Sequence, residues 1–296
     1  MNAAVKGYLR LARLANLPTA AADIFAGLAI AAFFSGVELT NIPILSLVFL
    51  VFSSVLLYAG GVVLNDVFDF ELDKIERPER PIPSGVVSLR SAAIFGVILM
   101  LLGVVLAFFV HQLSGSIALV LAFFIVLYDA FSKKHDFFGP VNMGLCRGLN
   151  LILGMSVFGL VHEWRYALVP LVYIFAITLI SRGEVHGNNK NHIIWAGILY
   201  ALVFFGVLGM VTLKKDSFLQ TIPFLLLFVF LVYRPLVNAY RSNSPENIKK
   251  AVMAGVLSII ALDAALAVGF SVWWYGLLVL LLLPLSILLS KLFAVT

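Results

Sequence analysis

The chain has 296 residues, of which 62% are hydrophobic and 12% charged, and its mean hydropathy is +1.08. Soluble domains carry about a quarter charged residues, so this composition excludes a water-soluble globule, a disordered chain and a nucleic-acid-binding module. One cysteine, Cys146, excludes an internal disulfide framework and a multi-cysteine zinc site, and its apolar surroundings indicate a small buried side chain. The sequence predicts an integral membrane protein.

The apolar segments are numerous and long. A helix needs about 20 apolar residues to cross the hydrocarbon of a bilayer. Ten segments meet this requirement: 17–37, 42–64, 91–110, 115–131, 138–161, 165–181, 192–213, 218–238, 248–269 and 271–293. The basic N-terminal stretch leads directly into the first, so no cleavable signal is expected. The sequence therefore predicts an all-α, polytopic bundle of nine to ten transmembrane helices, forming a single domain over residues 1–296.

Lysine and arginine are distributed unevenly between the two sets of loops. If the N-terminus is cytoplasmic, that side collects sixteen of them, against Arg165, Lys214 and Lys215 on the other side, with Arg147 inside a span. This bias follows the positive-inside rule. The formal charge of +5 is therefore interpreted as topology rather than as affinity for nucleic acid. We expect a multi-pass protein of the bacterial inner membrane whose N-terminus and acidic motifs are cytoplasmic.

A stripe of acids follows the second span. Asn65, Asp66, Asp69 and Asp73 fall within an arc of about 100° if the helix continues through them. Carboxylates at this spacing repel one another, so the stripe requires cations nearby. Oxygen ligands on one face suit Mg²⁺, which proteins commonly share with substrate phosphates. The alternative, a solvated acidic loop, fits less well because the acids alternate with apolar residues.

The same spacing recurs after the sixth span. Ser181, Glu184 and Asn188 repeat the offsets of the first stripe 115 residues later, and a helical projection places them on one face of about 60°. His186 projects away from that face and is predicted to pack as a neutral side chain. The recurrence favours two similar four-helix halves around a central cavity, although an ordinary polar helix end remains an alternative.

Basic and polar residues complete the pattern. Tyr128 and Lys133 close the fourth span, where Lys133 and Lys134 also fit the role of topogenic lysines. Arg147 and Asn150 are embedded in the fifth span. An arginine at the centre of a membrane helix costs about 2.5–3.5 kcal/mol, so Arg147 is predicted to face the bundle interior or a wet cavity. Acids that hold Mg²⁺, with cations around a lipid-accessible cavity, indicate a site for an amphiphile with a diphosphate head and an apolar tail.

These motifs resemble those of the UbiA superfamily of intramembrane prenyltransferases. The first acidic stripe matches in full the family's signature Asn-Asp-x-x-Asp-x-x-x-Asp. The segment Arg80–Gly85 is similar to the family's Arg-Pro-Leu-Pro-Ser-Gly turn, and Tyr128 with Lys133 is similar to its Tyr-x-x-x-x-Lys element. Asn16 lies in a similar basic N-terminal segment. The resemblance covers about residues 10–290, with the motifs in the family's order.

The resemblance implies a UbiA-like bundle in which two acidic motifs hold Mg²⁺ around an isoprenyl diphosphate. An acceptor then attacks the allylic carbon as the diphosphate leaves. On this basis the metal ligands are Asp66, Asp69, Asp73 and Glu184, the catalytic residues are Lys133, Tyr128 and Arg147, and the diphosphate-binding residues are Asn16, Asn65, Ser181, Arg182, Glu184, Asn188 and Lys190. The acceptor, aromatic or lipid-like, is not identified by any residue.

The second motif departs from the family, which has Asp where this chain has Ser181, Glu184 and Asn188. The variant Ser181–Gly187 is similar to the UbiA-like member of bacterial Ebo gene clusters. The lower charge predicts one tightly held Mg²⁺ on the first motif. The family also has nine spans, so segment 271–293 is either an addition, or two neighbouring segments do not both span.

Two functions compete. The leading hypothesis is Mg²⁺-dependent transfer of an isoprenyl chain from its diphosphate to an acceptor inside the membrane. The alternative is a lipid-phosphate or isoprenoid binding or transport protein on the same scaffold, which the depleted second motif favours and the intact first motif opposes. A channel fits less well because the charges concentrate at one face. Asp23 and Asp263, the acids deep in spans, are predicted to be helix-packing hydrogen-bond partners outside the site.

Overall fold

A computed structural model describes residues 3–185, 187–212 and 215–293, without the side chains of Lys215 and Asp216. The predictions made for His186 and Lys214 lie outside these residues, as does the side chain of Lys215. Helices are the regular secondary structure throughout the described ranges, which contain no strand. The predicted all-α class is confirmed.

Thirteen α-helices follow one another along the described chain. They are α1 (Ala3–Leu11), α2 (Leu17–Ser35), α3 (Ile44–Phe68), α4 (Phe70–Glu76), α5 (Leu89–Val110), α6 (Gln112–Ala130), α7 (Phe138–Met155), α8 (Leu168–Ser181), α9 (Lys190–Thr212), α10 (Lys215–Arg241), α11 (Pro245–Phe270), α12 (Trp273–Leu280) and α13 (Leu282–Leu292). Ten described helical segments are long and apolar enough to cross a membrane, and α12 with α13 forms the tenth, Trp273–Leu292. The ten predicted segments are therefore confirmed.

The membrane helices close into a ring. Each of α2, α3, α5, α6, α7, α8, α9, α10 and α11 packs on the next, and α11 packs back on α2. Helix α2 also packs on α7, so the first helices of the two predicted four-helix sets meet inside the ring. The tenth span lies against α11, α2 and the turn Leu14–Asn16 just before α2. It is thus an addition to a bundle of nine.

Helix ends follow the local sequence. Pro18 lies in the first turn of α2, where its missing N–H costs no hydrogen bond, and Gly36 ends that helix with φ +64°. Ser88 begins α5 by accepting a hydrogen bond from the backbone N–H of Ser91 at 3.1 Å. Ser244 begins α11 in the same way.

Two glycines bring α2 and α7 into close contact. A Cβ atom at Gly27 would lie 2.3 Å from the carbonyl oxygen of Leu151, and one at Gly154 would lie 2.7 Å from that of Ile24. Small residues commonly allow such backbone approach between membrane helices. The approach positions Asp23 of α2 beside Arg147 of α7, within the ring.

Candidate functional site

A cavity of about 380 Å³ lies inside the ring. Its apolar wall is formed by side chains of α2, α3, α6, α7, α8 and α11. Its polar lining comprises Arg13, Asn16, Thr19, Ser54, Tyr58, Asn65, Tyr128, Asp129, Arg147, Asn150, Thr178 and Ser181. Five of the residues predicted for the site are in this lining: Asn16, Asn65, Tyr128, Arg147 and Ser181. A largely apolar cavity with few polar groups suits an amphiphile.

The first acidic motif lies where α3 passes into α4. Asp69 separates the two helices, but the backbone ladder continues, because its N–H donates to the carbonyl of Asn65 at 2.9 Å and its carbonyl accepts from Asp73 at 2.8 Å. Asp66 and Asp73 are buried, whereas the side chain of Asp69 is 24% exposed. The predicted helical face is therefore present, with one irregular residue at its centre.

Each acid of this motif is paired with a cation from elsewhere in the chain. Asp66 Oδ1 accepts from Arg13 at 2.9 Å and from Arg80 at 3.1 Å. Arg80 also donates to Asp73 Oδ2 at 2.6 Å. These pairs supply the cations that the repulsion within the stripe requires.

The turn after α4 aims Arg80 at the acids. The backbone N–H of Ser84 donates to Arg80 O and that of Val87 to Pro81 O, each at 3.0 Å, and Gly85 has φ +77°. A positive φ suits glycine because it has no Cβ atom. The segment Arg80–Gly85 thus forms a compact turn, and this turn places Arg80 against α3 and α4.

The end of α6 and the turn Ser132–Lys134 after it each contact the first motif once. Lys133 Nζ lies 2.5 Å from Asp69 Oδ1, and Asn65 Nδ2 donates to Asp129 Oδ1 at 2.7 Å. The partners are four residues apart on each side, so the two contacts lie about one helical turn apart. Lys133 is therefore held beside Asp69 of the first motif, whereas the neighbouring Lys134 is exposed. Its predicted contact with a diphosphate stays a prediction.

Arg147 faces the bundle interior, as predicted. Its guanidinium pairs with Asp23 at 2.7 Å, and Asn150 Nδ2 donates to the same carboxylate at 2.6 Å. Ser54 donates to Asn150 Oδ1 at 2.7 Å. Asp23 thus joins α2 to α7, in agreement with its predicted packing role, and positions two residues of the cavity lining. Asp263 of α11 is fully buried beside Asp23 and is close enough for the two carboxyl groups to share a hydrogen bond, which fits its predicted packing role.

The helical face predicted for the second motif is wrong. Helix α8 ends at Ser181, and Glu184 follows in a turn in which its N–H donates to Ser181 O at 3.0 Å. Gly187 and Asn188 have φ values of +68° and +58°. The glycines at 183 and 187 explain the difference, because glycine favours the end of a helix over its continuation. Ser181 lines the cavity, whereas Asn188 is exposed.

Arg182 and Lys190, both predicted to bind diphosphate, contact other parts of the chain. Arg182 pairs with Asp136 Oδ1 at 3.1 Å and also donates to the backbone carbonyl of Asp136. Lys190 lies 5.6 Å from the ring centroid of Tyr240. Neither is part of the cavity lining.

Asn189 organises the loop that carries the second motif. Its side chain is buried and donates to Ile180 O at 2.9 Å, and its backbone N–H donates to Asn243 Oδ1 at 2.9 Å. These bonds connect the ends of α8, α9 and α10. Sequence reasoning selected Asn188 and missed this neighbour, because a helical projection cannot describe a loop.

Burial and charge act in opposite directions on two acids of the motifs. Burial raises the pKa of Asp73, while the hydrogen bond and charge of Arg80 lower it. Burial also raises the pKa of Glu184 against the charges of Arg77 and Lys249. Both carboxyl groups therefore hold a proton more readily than exposed ones do, and a nearby divalent cation would favour their charged forms.

The donors of the first motif fit Mg²⁺ when phosphate oxygens complete the coordination. No three His, Cys, Asp or Glu side chains of the described chain converge closely enough to hold a metal ion by themselves. Asp66 and Asp73 nevertheless both reach the same nitrogen of Arg80, so their oxygens are neighbours. Proteins usually bind Mg²⁺ through one or two carboxylates together with water and substrate phosphates.

Comparison with known proteins agrees with this geometry. Residues 24–182 match the sequence profile of the UbiA prenyltransferase family. The chain belongs to this family. The digeranylgeranylglyceryl phosphate synthase of Methanococcoides burtonii is 40% identical over 161 residues, which are 53% of this chain and 56% of that enzyme. The synthase of Sulfurisphaera tokodaii is 33% identical over 193 residues, 63% of this chain and 67% of the relative.

Solved structures of UbiA family members share the fold. A structure of a digeranylgeranylglyceryl phosphate synthase is 25% identical, with a TM-score of 0.62, over 90% of this chain and 98% of that one. A UbiA homologue from Archaeoglobus fulgidus, solved with GPP and Mg²⁺, is 15% identical, with a TM-score of 0.63, over 88% and 99%. This UbiA family member is therefore a multi-pass membrane protein with the UbiA helix bundle.

Proposed function

We propose that this UbiA family member transfers an isoprenyl chain from its diphosphate to a lipid-like acceptor within the membrane, and that it requires Mg²⁺. The observation that carries the proposal is the cluster of paired acids and cations next to a largely apolar cavity inside the membrane bundle. The cluster supplies charge for a diphosphate, and the cavity supplies an apolar enclosure for the chain. We propose one domain over residues 1–296.

Asp66, Asp69 and Asp73 would hold the metal, with Glu184 as a candidate ligand from the second motif. Bound Mg²⁺ supplies positive charge that stabilises the departing diphosphate. Among the residues of this chain, Lys133 and Arg13 provide fixed positive charge beside the same acids. Preorganised charge of this kind stabilises a leaving group at little reorganisation cost.

We propose different roles for the polar residues of the cavity lining, some at the diphosphate and one at the reacting carbon of the isoprenyl chain. Asn16, Asn65 and Ser181 are proposed to hydrogen-bond the diphosphate, and Tyr128 to face the reacting carbon. Arg147 is held by Asp23, so its charge is largely compensated, and we assign it to positioning within the cavity.

The roles predicted for Arg182, Asn188 and Lys190 stay predictions. The ion pair of Arg182 with Asp136 would have to open before Arg182 could reach a diphosphate. The resemblance of the second motif to proteins of Ebo clusters is likewise a prediction.

The names of the relatives suggest the class of acceptor. Digeranylgeranylglyceryl phosphate carries two isoprenyl chains on glyceryl phosphate, so an enzyme that completes it adds a chain to a glyceryl hydroxyl. We propose a lipid phosphate with a free hydroxyl as the acceptor here. Because these relatives are archaeal, a bacterial inner membrane is not part of the proposal, whereas a cytoplasmic N-terminus is, on the strength of the lysine and arginine bias. Binding without chemistry is not favoured, since the relatives are named as synthases.

A transfer assay tests the proposal. The purified protein in lipid nanodiscs receives geranylgeranyl diphosphate and geranylgeranylglyceryl phosphate, with Mg²⁺ or with a chelator, and product is measured by mass spectrometry. We expect product only with Mg²⁺. Removing a charge that stabilises the leaving group costs about 10²–10³-fold in rate, so Asp69→Asn and Lys133→Ala should lose at least that. Lys134→Ala is the matched control and should retain activity. Equal rates with the chelator would contradict the role of Mg²⁺, and bound donor without product would support the binding alternative.

A further inference from the structure

Asp129 is a buried carboxylate of the cavity lining to which the proposed function assigns no role. It lies in the last turn of α6, it is 3% exposed, and it is part of the cavity lining. Its Oδ1 accepts from Asn65 at 2.7 Å, whereas Oδ2 has no hydrogen-bond partner in the described ranges. One oxygen of the carboxylate is therefore anchored, and the other is buried without a hydrogen-bond partner.

This position is unfavourable for stability. The C-terminal end of a helix carries partial negative charge, which disfavours an acid in its last turn. No lysine or arginine of the described chain lies within ion-pair distance of Asp129. A buried carboxylate held by one neutral amide costs free energy, so its presence requires an explanation other than packing.

Asp129 also differs in kind from the rest of the cavity lining. It is the one carboxylate among the described residues that line the cavity, and no histidine lines it. The other acids next to the cavity are occupied, because Asp23 holds Arg147 and the acids of the first motif hold Arg13, Arg80 and Lys133. Among the described residues, Asp129 is thus the one carboxylate of the cavity lining that could contact an acceptor hydroxyl.

We propose that Asp129 is the general base that removes the proton from the acceptor hydroxyl, an assignment that rests on the proposed transfer to a hydroxyl. The acceptor oxygen forms a bond to C1 of the isoprenyl chain, the bond from C1 to the diphosphate oxygen breaks, and the diphosphate leaves with the electron pair. The hydroxyl proton passes to Asp129 Oδ2. Charge and atoms balance without a further reactant.

The contacts that Asp129 and Lys133 make with the first motif place the proposed base near the leaving diphosphate. Lys133, in the turn Ser132–Lys134, contacts Asp69, and Asp129 lies four residues earlier, in the last turn of α6 on the cavity wall. The base and the lysine proposed to face the leaving diphosphate therefore lie four residues apart, at the end of α6 and in the turn that follows it. Asn65 fixes the base by donating to Oδ1, which leaves Oδ2 as the proton acceptor.

Asp129→Asn tests the assignment with little change of shape, and Glu71→Gln, an exposed acid of α4, is the control. Three measurements are made in nanodiscs: binding of a non-hydrolysable geranylgeranyl diphosphate analogue, its dependence on Mg²⁺, and the single-turnover rate with geranylgeranylglyceryl phosphate. General base catalysis contributes about 10²–10⁴-fold, so the variant should lose that factor in rate. Its analogue affinity and Mg²⁺ dependence should stay within about twofold of the unmodified protein, because an asparagine oxygen at this position can still accept from Asn65 and Asp129 is not a proposed metal ligand. The control should match the unmodified protein in all three.

A second acceptor distinguishes the loss of a general base from structural damage in Asp129→Asn. In it the hydroxyl is replaced by a thiol, which ionises at a much lower pH than an alcohol and needs no base in an alkaline assay. Asp129→Asn should transfer to this acceptor within about threefold of the unmodified protein. An unchanged rate with the hydroxyl acceptor would overturn the assignment, as would a rate loss that follows lost analogue or Mg²⁺ binding. If the unmodified protein transfers to no hydroxyl acceptor, the proposed function fails, and the assignment with it.

Discussion

Arg80 holds two of the buried acids of the first motif together. It bridges Asp66 and Asp73, which lie seven residues apart on the same side of the chain and would otherwise repel each other. Asp66 keeps a second partner, Arg13, whereas Arg80 is the ion-pair partner that the structure gives Asp73. Arg80 therefore matters more to Asp73 than to Asp66.

Replacing this arginine should destabilise the protein in a way that Mg²⁺ relieves. Arg80→Gln leaves a buried carboxylate unpaired, so the free energy of unfolding should fall by about 3–5 kcal/mol. A ligand that binds only the folded state adds more stability the tighter it binds. Because Arg80→Gln frees Asp73 for a metal ion, Mg²⁺ should stabilise the variant more than the unmodified protein. Thermal unfolding in detergent, with and without Mg²⁺, measures both effects.

Lys74→Gln is the control for this experiment, since Lys74 pairs with Glu71 at an exposed site and such pairs contribute less than about 1 kcal/mol. Equal Mg²⁺ stabilisation of Arg80→Gln and the unmodified protein would show that Mg²⁺ does not bind at Asp66 and Asp73.

At the scale of elements, the contact between α2 and α7 positions the polar part of the cavity lining. Gly154→Ala places a Cβ atom 2.7 Å from the carbonyl oxygen of Ile24, so the helices must separate. The separation strains the pair of Arg147 with Asp23. Overpacking of this kind costs about 1–3 kcal/mol, which should appear as a lower melting temperature.

The matched control is Gly206→Ala in α9, where a Cβ atom would meet nothing within 4 Å. Alanine favours a helix over glycine by up to about 1 kcal/mol, so this variant should be neutral or more stable. If both variants melted alike, close packing of α2 on α7 would not be what stabilises the bundle.

The loop after α8 gives a second test at this scale, because neighbouring asparagines have different surroundings. Asn189→Ala removes the buried bonds to Ile180 and Asn243 and should cost about 1–3 kcal/mol of stability. Asn188→Ala should leave stability within about 1 kcal/mol and, if Asn188 binds diphosphate as predicted, should weaken binding of a diphosphate analogue. Calorimetry of the analogue together with thermal unfolding distinguishes the two roles. Unchanged analogue affinity in Asn188→Ala would remove Asn188 from the site.

Local patterns predicted the elements well and their long-range partners poorly. The ten spans follow from hydropathy, because a membrane helix must satisfy its own backbone and needs a fixed length. The first motif follows from helical spacing, since the backbone ladder runs through Asp69. Its partners Arg13 and Arg80 could not be found by spacing, because a turn and a separate helix bring them in.

Two of the missed features had signals in the sequence. The glycines at 183 and 187 mark a helix end, which argues against a helical face over Ser181 and Asn188. Asp129 is an acid at the C-terminal end of an apolar helix, a placement that both the helix dipole and the membrane oppose. An unfavourable position of this kind is itself an indication of function.

At the scale of the whole molecule, the balance of charge around the site bears on how many metal ions it holds. The three carboxylates of the first motif are matched by Arg13, Arg80 and Lys133. The second motif adds the single carboxylate of Glu184, and its other two positions are neutral. A diphosphate brings about three negative charges near neutral pH, and each Mg²⁺ offsets two. One Mg²⁺ on the first motif, with fixed cations nearby, therefore compensates most of the added charge.

We accordingly predict one tightly bound Mg²⁺ per protein in the presence of a non-hydrolysable donor, measured by calorimetry. Adding acids at the second motif, as in Ser181→Asp with Asn188→Asp, should raise the Mg²⁺ stoichiometry or affinity, because Ser181 lines the cavity and aspartate tolerates the left-handed backbone of Asn188. Ser242→Asp, at an exposed serine after α10, adds charge away from the cavity lining and should change neither. Two equivalent Mg²⁺ ions in the unmodified protein would contradict the prediction, since the neutral residues of the second motif would then suffice for a second metal ion.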